Sequence, residues 1–483
     1  MSRTIWRICG SPSVPAGTSG SGRLVASSLT SRRRRCHLAR VRSTALSIRA
    51  SWHGTPPSFS RYAGNVAKVA EALAPLVHLL LGPDISVHVR LWDDSTLGDP
   101  ASPATVVVRT PHALRRILYQ PNELGFSRAI VTGEIEIEGD AFFALRALDA
   151  APPELRIGVR TWATTLKATA RLGVLGPPLP PPPEEARLRG GAHSKSRDAV
   201  AISHHYDVGN QFYRLVLGPS MTYSCARFVD PSVSLEEAQA AKYELICNKL
   251  GLRPGLHLLD VGCGWGGMAR HAATHHGVSA VGVTLSTQQQ EWAAQRVGEE
   301  HLGEQVEIRL QDYRDLGGER YHAVSSIGMF EHVGKARLGQ YFDVLFALLE
   351  PGGRLLNHAI STPGGTDYDD TSFLLRYVFP DGELQDVATV VAAMQAAGFE
   401  VRDVEALREH YALTLRRWLD NLEAHWEEAV ALVGTARARI WRLYMTGSVL
   451  SFEKGEISIH QILGVKPASN GASRMPLTRA SFA

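Results

Sequence analysis

The sequence predicts an α/β protein in which a parallel sheet, covered by helices on both faces, follows a small α+β unit. Three observations support this prediction. Short apolar strands alternate with helical segments from about residue 200, a glycine cluster ends the first of these strands, and a proline-rich segment separates them from residues 62–175. Such alternation brings successive strands together in parallel, because each connecting helix packs back onto the sheet.

The charge of the chain is concentrated at one end. The 483 residues include 51 basic and 48 acidic side chains, but residues 1–61 contain eleven Arg, no Lys and no acidic residue. The remainder has 40 basic and 48 acidic residues, a net charge of −8. We expect residues 1–61 to be a disordered basic extension, or a segment upstream of the true start. The acidic body lacks the basic face that nucleic-acid binding needs, so no nucleic-acid partner is predicted.

The cysteines indicate reduced thiols in a cytoplasmic protein. Their number is odd, and no two have the spacing of zinc ligands; they are Cys9, Cys36, Cys225, Cys247 and Cys263. No metal site is predicted. No apolar run reaches the ~18–20 residues of a membrane-spanning helix, since residues 76–81 are stopped by Gly82 and Pro83.

The first folded unit is predicted to span residues 62–175. Residues 85–91 and 134–138 alternate as half-buried strands do, residues 106–108 add a further strand, and Pro111 begins a helix with Thr110 as its N-cap. The strand 134–138 is expected to have one solvent-exposed face. No residue cluster here suggests chemistry.

A stiff proline-rich linker is predicted at residues 176–198, because the proline-rich run 177–183 fits neither a helix interior nor a central strand.

The second unit, residues 199–466, has predicted strands at 256–261, 278–283, 306–310, 323–327 and 354–360. The later stretch is predicted to be helical, because apolar residues from Leu415 to Val430 fall on one helical face. Residues 467–483 are expected to be a disordered tail.

A glycine loop follows the first strand of the second unit, where Asp260 precedes Gly262-Cys263-Gly264-Trp265-Gly266-Gly267. Glycine lets the backbone approach a ligand closely, and a helix N-terminus favours negative charge, so a dinucleotide is one interpretation. An acidic residue before the loop instead suits a cationic cofactor and repels a pyrophosphate. The loop is similar to that of class I methyltransferases, which bind S-adenosylmethionine. A Rossmann-like domain with additional helices is therefore predicted.

The second strand departs from the usual pattern of such folds. Many of them place an acidic residue at its end, where it binds the ribose hydroxyls. Residues 281–286 contain no acid, but Gln288, Gln289 and Gln290 follow. An amide can also bond a ribose hydroxyl, so the cofactor prediction stands.

Several sequence blocks between residues 200 and 466 identify a family. They are His205-Tyr206-Asp207-Val208-Gly209-Asn210-Gln211-Phe212-Tyr213, Met221-Thr222-Tyr223-Ser224-Cys225-Ala226, the glycine loop, Thr284-Leu285-Ser286, Gly328-Met329-Phe330-Glu331-His332-Val333-Gly334, His410-Tyr411 and Phe452-Glu453-Lys454-Gly455. In these blocks the chain resembles the cyclopropane-fatty-acyl-phospholipid synthase family, which includes the mycolic acid cyclopropane synthases. Residues 62–150 are similar, more weakly, to the N-terminal region of full-length bacterial members, which implies a lipid-binding type of domain.

The resemblance implies a reaction and two sets of site residues. A cis double bond of a phospholipid acyl chain attacks the methyl group of S-adenosylmethionine, and the carbocation loses a proton to close a cyclopropane ring. In this family a bound bicarbonate is the base, and the implied bicarbonate site comprises Cys225, Glu331, His358 and Tyr411, with a backbone group near Ile360. The implied cofactor site comprises Tyr223, Ser224, Asp260, Gly262, Gly264, Thr284, Leu285, Ser286, Gln289, Asp312 and Tyr313.

One position differs from the family pattern. Many members carry a cysteine, treated as catalytic, in the block that reads Met445-Thr446-Gly447-Ser448 here. Ser448 takes its place in the candidate site and rules out a thiolate mechanism at that position. This difference favours the bicarbonate account.

The resemblance further implies an enzyme that is peripheral on the inner face of the membrane, with unsaturated phospholipid chains as its partner. A homodimer is one expectation for its assembly. A body of charge −8 then needs a local basic or apolar docking face, in the helices after residue 365 or in the N-terminal unit. Arg437, Arg439 and Arg442 are candidates for contact with anionic lipid, and a solvated helix face is the alternative.

Three alternative functions stay open at this point. A hydride shift in the same carbocation would give a methylene- or methyl-branched chain of the 10-methyl type instead of a ring. A methyltransferase acting on a soluble small molecule would use the same cofactor loop. A non-catalytic lipid carrier is the third alternative, and the intact cofactor loop argues against it.

Overall fold

The structure, a computed structural model, describes residues 69–82, 85–150, 169–170, 172–186, 208–364 and 372–482. The basic segment 1–61 and the first residues of the block 205–213 lie outside this description. So does the whole of the predicted linker beyond residue 186.

The N-terminal unit is a four-stranded sheet with helices, as the alternation in its sequence predicts. Its strands have the order β2-β1-β3-β4, with β1 and β3 parallel and the other pairs antiparallel. The elements are α1 (Val69–Leu81), β1 (His88–Arg90), β2 (Thr96–Leu97), β3 (Ala104–Val108), α2 (Pro111–Tyr119), α3 (Glu123–Val131), β4 (Ile135–Gly139) and α4 (Ala141–Asp149).

The second unit contains a seven-stranded sheet in the order β10-β11-β9-β8-β5-β6-β7. The five predicted strands are present and pair in parallel with one another, so the predicted α/β class is confirmed. The elements are α5 (Asn210–Leu217), α6 (Leu235–Leu250), β5 (His257–Val261), α7 (Gly267–His276), β6 (Ser279–Thr284), α8 (Thr287–Glu299), β7 (Val306–Leu310), β8 (Tyr321–Ile327), α9 (Leu338–Leu348), β9 (Leu349–Ser361), α10 (Phe373–Tyr377), α11 (Val387–Ala396), β10 (Glu400–Ala406), α12 (Arg408–Ala424), α13 (Trp426–Val433), α14 (Thr435–Lys454) and β11 (Ser458–Val465).

Two strands lie where the sequence predicted only helices. Strand β11 pairs antiparallel with β9 on one side and with β10 on the other, so β10 forms the sheet edge. Four of the seven residues of β10 are charged, which hides its alternation. One of them, Asp403, is 5% exposed and pairs with the buried Lys249 at 3.0 Å.

The predicted apolar face of the C-terminal helices is divided between two helices. Leu415, Trp418 and Leu422 are buried on α12, which ends at Ala424. The pattern resumes after His425 on α13, where Trp426 and Val430 are only half-buried. Among the residues described, no helix combines the length and apolar character needed to cross a membrane.

The glutamate face of β4 differs from the prediction of a solvent-exposed face. Glu136 is 7% exposed because α14 covers it. Its carboxylate accepts hydrogen bonds from Arg109 Nε at 3.0 Å and from Arg439 Nη2 at 2.5 Å. The expectation of one wet face is therefore wrong at this position, because a helix about 300 residues later in the sequence supplies the partner.

Two of the three candidate arginines of α14, Arg439 and Arg442, likewise differ from both interpretations given to them. Arg439 pairs with Glu136, and Arg442 pairs with Glu423 and lies over the ring of Trp426, 5.5 Å from its centroid. These two side chains are 17% and 15% exposed. They hold elements together and face neither lipid nor open solvent.

The proline-rich segment is held along the N-terminal unit. Arg115 donates to the carbonyls of Val174 and Leu175, and Tyr119 Oη donates to Gly176 O at 2.7 Å. Further on, Glu185 forms a two-pronged ion pair with Arg128 at 2.7 and 2.8 Å. The stiff segment therefore runs as a strap against α2 and α3 as far as it is described.

Candidate active site

A cleft opens at the carboxyl ends of the parallel strands, where β5 lies between β8 and β6. Ligands bind at this edge in open α/β sheets because the strand order reverses there. The cleft measures about 1180 Å³ including its open mouth. Its walls come from the loops after β5, β6, β7 and β8 and from the segment 221–224.

The glycine loop forms the floor of the cleft. Gly262 and Gly264 have φ values of +74° and +54°, a conformation that residues with a Cβ rarely adopt. A Cβ at Gly262 would also lie 2.8 Å from Met329 Cβ. The amides of Gly262 and Cys263 both donate to Val283 O at 3.0 Å, which fixes the loop against β6.

Asp260, a predicted cofactor residue, lines the cleft. It is 2% exposed and accepts a hydrogen bond from Ser325 Oγ at 2.7 Å. Burial raises its pKa to about 6, although the Ser325 hydrogen bond and Lys242 oppose this shift. A cationic ligand in the cleft would favour the ionised carboxylate, so the arrangement fits a sulfonium cofactor.

Lys242 is a site residue that the sequence reasoning missed. It lies in the middle of α6, is fully buried, and lines the cleft. Its Nζ lies 3.1 Å from Ser224 Oγ and 3.6 Å from the ring centroid of Tyr243. Burial lowers the pKa of Lys242 to about 7. The signal was available, because Lys242 falls on the buried stripe of its helix four residues after Ala238 and before Ile246.

Of the three glutamines after β6, Gln289 lines the cleft. Its side-chain oxygen accepts a hydrogen bond from Thr284 Oγ1 at 2.8 Å. This bond occupies the amide oxygen and leaves the amide nitrogen as the group that can donate to a ligand. Gln290 instead bonds Ile308 O at 3.2 Å. This placement suits the predicted contact between an amide and a ribose hydroxyl.

The other predicted cofactor residues divide between the cleft wall and its support. Asp312 and Tyr313 line the wall after β7, where Asp312 is bound by Arg314 Nε and Nη2 at 2.9 and 2.6 Å. Ser286 lies behind the wall and caps α8, accepting from the amide of Gln289 at 3.3 Å. The remaining predicted residues line the wall: Tyr223, Ser224, Gly262, Gly264, Thr284 and Leu285.

Glu331 lies in the short helical turn after β8, and its side chain is half-buried. Its Oε1 accepts a hydrogen bond from Ile360 N at 2.8 Å, which links it to the end of β9. Its Oε2 is buried with no hydrogen-bond partner. Burial raises the pKa of this carboxyl to about 7, against the Ile360 hydrogen bond.

His358 is the second buried group with unused hydrogen-bonding capacity. It is 0% exposed, and neither ring nitrogen has a hydrogen-bond partner. Burial, together with the charges of Lys242 and Lys249, holds its pKa well below the usual value, so the ring is neutral. Its neighbour across the sheet is Gln461 on β11, whose amide atoms are also buried without partners. Gln461 escaped notice because β11 was not predicted.

Cys225 and Tyr411 both contact Leu407, the residue before α12. The Cys225 thiol contacts Leu407 O at 3.7 Å, and the amide of Tyr411 donates to the same carbonyl. Cys225 is fully buried, and burial raises the pKa of its thiol, so the group stays protonated. The Tyr411 ring packs on Phe452, with centroids 4.7 Å apart.

Ser448 lies on α14 between Tyr444 and Phe452. Tyr444 and Phe452, four residues before and after it, share its helical face. Ser448 is 6% exposed. Tyr444 Oη accepts a hydrogen bond from Tyr223 Oη at 3.1 Å, so this face of α14 reaches the cleft.

An aromatic cluster joins the cleft to these buried polar groups. Tyr223 packs against Trp418 and Trp441 with centroids 5.2 and 5.7 Å apart, and Tyr213 packs on Trp265 at 4.8 Å. Water is excluded from such a cluster, and ring faces attract positive charge. The arrangement can therefore hold a cation beside buried groups that have room for an anion.

Comparison with known proteins gives a consistent pattern. The family model described as mycolic acid cyclopropane synthetase matches residues 193–462. A probable fatty acid methyltransferase of Mycobacterium tuberculosis is 43% identical over 402 residues, covering 80% of this chain and 92% of the relative. The cyclopropane-fatty-acyl-phospholipid synthase of Escherichia coli K12 is 33% identical over 373 residues, covering 77% and 90%.

A solved structure resembles the second unit. It is the mycolic acid cyclopropane synthase CmaA1 complexed with SAH and CTAB, with a TM-score of 0.53 and 33% identity. The match covers 55% of this chain and 97% of that chain. Over this part of the chain the likeness is therefore one of both structure and sequence.

Proposed function

This chain belongs to the mycolic acid cyclopropane synthetase family, a family of S-adenosylmethionine-dependent methyltransferases, and from that premise we propose its reaction. The proposed reaction transfers a carbon to the cis double bond of unsaturated phospholipid acyl chains and forms cyclopropane fatty acids. The observation that carries this proposal is that Glu331 Oε2 and both ring nitrogens of His358 are buried without hydrogen-bond partners.

The residues of the cleft bind and orient the cofactor. Bound S-adenosylmethionine would supply an electrophilic methyl group. The buried carboxylate of Asp260 attracts the positive charge of the cofactor. The glycine loop lets the backbone approach the cofactor closely, and the Gln289 amide can form a hydrogen bond with a ribose hydroxyl. The nucleophile is the alkene of the lipid, so no side chain of the protein has to attack the methyl group.

Glu331, His358, Cys225 and Tyr411 would hold a bicarbonate, which would supply the base, while the Ile360 amide donates to Glu331 and orients its carboxyl group. Three features of this region support an anion. Glu331, with a pKa near 7, can carry a proton and donate it in a hydrogen bond without charge repulsion. His358 is neutral with both nitrogens available. Lys242 adds a positive charge that acts on both Cys225 and His358.

The aromatic cluster serves the cationic stage of the reaction. Trp418, Trp441, Tyr223 and Tyr444 keep water away from a carbocation that water would capture, and their ring faces stabilise its charge. This role requires that the rings remain packed. Trp418 on α12 and Trp441 and Tyr444 on α14 are buried, and the half-buried Tyr223 packs against both tryptophans.

We further propose that the enzyme is cytoplasmic and docks peripherally on the membrane through the N-terminal unit. Large apolar side chains are exposed at the end of α2 and on the adjacent strap: Leu118 is 40% exposed, Tyr119 56% and Leu175 43%. Arg115 and Tyr119 hold the strap beside α2, so the three side chains lie in one region. Such a patch can enter a lipid surface although the body is acidic.

A branched product is the second candidate function. It is favoured by the name of the 43% identical relative, a probable fatty acid methyltransferase. A hydride shift in the same carbocation, followed by loss of a proton, would give a methylene-branched chain. The methyl-branched chain would need a separate reduction by an external hydride donor. Both outcomes use the same cofactor and the same buried base.

Expression in a bacterial host that lacks this activity tests the proposal. Mass spectrometry of the host's fatty acids is expected to show monounsaturated chains heavier by one CH₂ unit. Proton NMR of the purified product then distinguishes a ring from a branch. A lipid profile that does not change, together with S-adenosylmethionine binding by the purified protein, would contradict the lipid reaction and favour a small-molecule substrate.

The variant Glu331→Gln tests the base. We expect it to lose most of the product, because a permanently neutral amide cannot exchange a proton with the anion, while calorimetry still detects S-adenosylmethionine binding. Glu304→Gln is the matched control, since Glu304 is exposed and does not line the cleft. Undiminished product in Glu331→Gln would remove this residue from the mechanism.

A further inference from the structure

Metal-binding side chains converge between α6 and α7, outside the wall of the cleft. Cys247 on α6 and His271 and His276 on α7 each place one ligand atom within 4.8 Å of the other two. The Glu244 carboxylate, one turn before Cys247, lies 3.1 Å from His276 Nε2 and 3.4 Å from His271 Nε2. We propose that these four side chains form a zinc site.

The separations are those of a site that needs only small side-chain movements. In a tetrahedral zinc site with bonds of about 2.0–2.3 Å, neighbouring ligand atoms are about 3.3–3.8 Å apart. The two distances from Glu244 already lie near this range. The backbone that carries the ligands is helical and fixed, because Cys247 is fully buried in the core between the two helices.

The kind of ligand favours zinc over other divalent ions. A thiolate, two imidazoles and one carboxylate form a mixed sulfur and nitrogen set of the type that zinc prefers. Calcium and magnesium take oxygen ligands almost exclusively. The spacing of the cysteines in the sequence does not indicate this site, because its single cysteine and its two histidines come from separate helices.

The protonation states of the ligands define the binding reaction. Burial raises the pKa of the Cys247 thiol, so without a metal the thiol keeps its proton. Burial lowers the pKa of His271 to about 4, so its ring is neutral and has a free lone pair. Binding breaks the S–H bond, forms a metal–sulfur bond and releases one proton to solvent.

The proposed site would fasten two helices that shape the cofactor cleft. Helix α6 carries Lys242 and Tyr243, and α7 begins at Gly267 directly after the glycine loop. The ring of Tyr243 also packs on His271, with centroids 5.5 Å apart. A bound zinc ion would therefore be structural, and its first effect would be on the stability of the folded chain.

Metal titration of the full chain tests the proposal. Protein freed of metal by dialysis against a chelator is titrated with zinc chloride and, separately, cobalt chloride. We expect one zinc ion per chain, a higher melting temperature with zinc, and a sulfur-to-cobalt charge-transfer band that reports a thiolate ligand. Absence of saturable binding, or binding of cobalt without that band, would overturn the proposal.

Matched variants test whether the bound metal ion lies at these four side chains. Cys247→Ser should abolish the charge-transfer band, whereas Cys263→Ser should retain it. His276→Gln should weaken zinc binding at least about tenfold, whereas His275→Gln, which changes the neighbouring histidine outside the proposed set, should not. A band that survives in Cys247→Ser, or equal effects of the two histidine variants, would overturn the assignment. Should His276→Gln fail to fold, the pair of cysteine variants still decides.

Discussion

At the scale of single residues, Glu331 couples the proposed chemistry to folding stability. Its pKa is about 7 in the folded protein, because burial opposes the charged form, against 4.5 for an unperturbed glutamate. Between these values the folded chain holds a proton that the unfolded chain has lost. The free energy of unfolding therefore falls as pH rises from about 4.5 to about 7 and stays reduced above that range.

Removing this charge should stabilise the cofactor-free protein. Glutamine at position 331 can still accept the Ile360 hydrogen bond but never ionises, so Glu331→Gln should be more stable than the wild type at pH 8, by up to about 3 kcal/mol. The two proteins should converge below pH 5. Urea denaturation at both values measures this, with Glu304→Gln as the exposed control. A Glu331→Gln protein that is less stable at pH 8 would contradict the account.

The site residues that could be predicted are those that belong to a recognisable block of neighbouring residues in the sequence. Asp260 and Gly262 belong to one contiguous block, so the sequence alone directs attention to them. Gln461 depends on a strand whose partner in the sheet lies about 100 residues away. Tyr444 is one of many aromatic residues until Tyr223 is found beside it. Site residues that only tertiary contacts bring together are therefore difficult to recognise in a single sequence.

At the scale of elements, α14 serves both units. One face carries Tyr444, Ser448 and Phe452 toward the site. Another face carries Arg439 to Glu136 of the N-terminal sheet. This is why the charged residues of β4 could not be interpreted from their alternation alone, whereas the parallel strands, with apolar runs that are buried by neighbouring helices, could be predicted.

The contact between β4 and α14 should be energetically important. Glu136→Ala leaves Arg439 without its buried partner, and we expect a loss of about 2–4 kcal/mol in unfolding free energy. Glu138→Ala, two residues along the same strand, breaks a pair with Arg90 in which both side chains are about one-third exposed, and should cost at most about 1 kcal/mol. Chemical denaturation of both variants measures the difference, and equal losses would contradict a buried interface.

At the scale of the whole molecule, one continuous apolar core joins the two units. It extends from Val69 in the first helix to Ile459 in β11 and includes Trp418 and Trp441. The order of two units was predictable because a proline-rich segment separates them in the sequence. Their shared core was not, because it depends on which faces of α3, α4 and α14 meet.

The exposed patch of the N-terminal unit should determine membrane binding. Replacing Leu118, Tyr119 and Leu175 together by Ser should reduce flotation of the full chain with phosphatidylglycerol vesicles several-fold, because apolar area available for insertion is lost. Leu477→Ser is the control, since Leu477 is fully exposed at the other end of the chain. Flotation that is equally strong in the triple variant would place the docking surface elsewhere.

The burial of the cysteines in the described part of the chain has a consequence for the enzyme's resistance to methylation. A protein that works with an electrophilic methyl donor risks methylating itself, and thiolates are the side chains most easily attacked. Cys225 and Cys263 are buried with raised thiol pKa values, so each remains a poorly reactive thiol. Cys247 is also buried, and in the proposed site its sulfur would be bound to zinc. The same enclosure should protect them from maleimide and similar labels, and inhibitors designed to bond covalently to these cysteines would find no reactive sulfur.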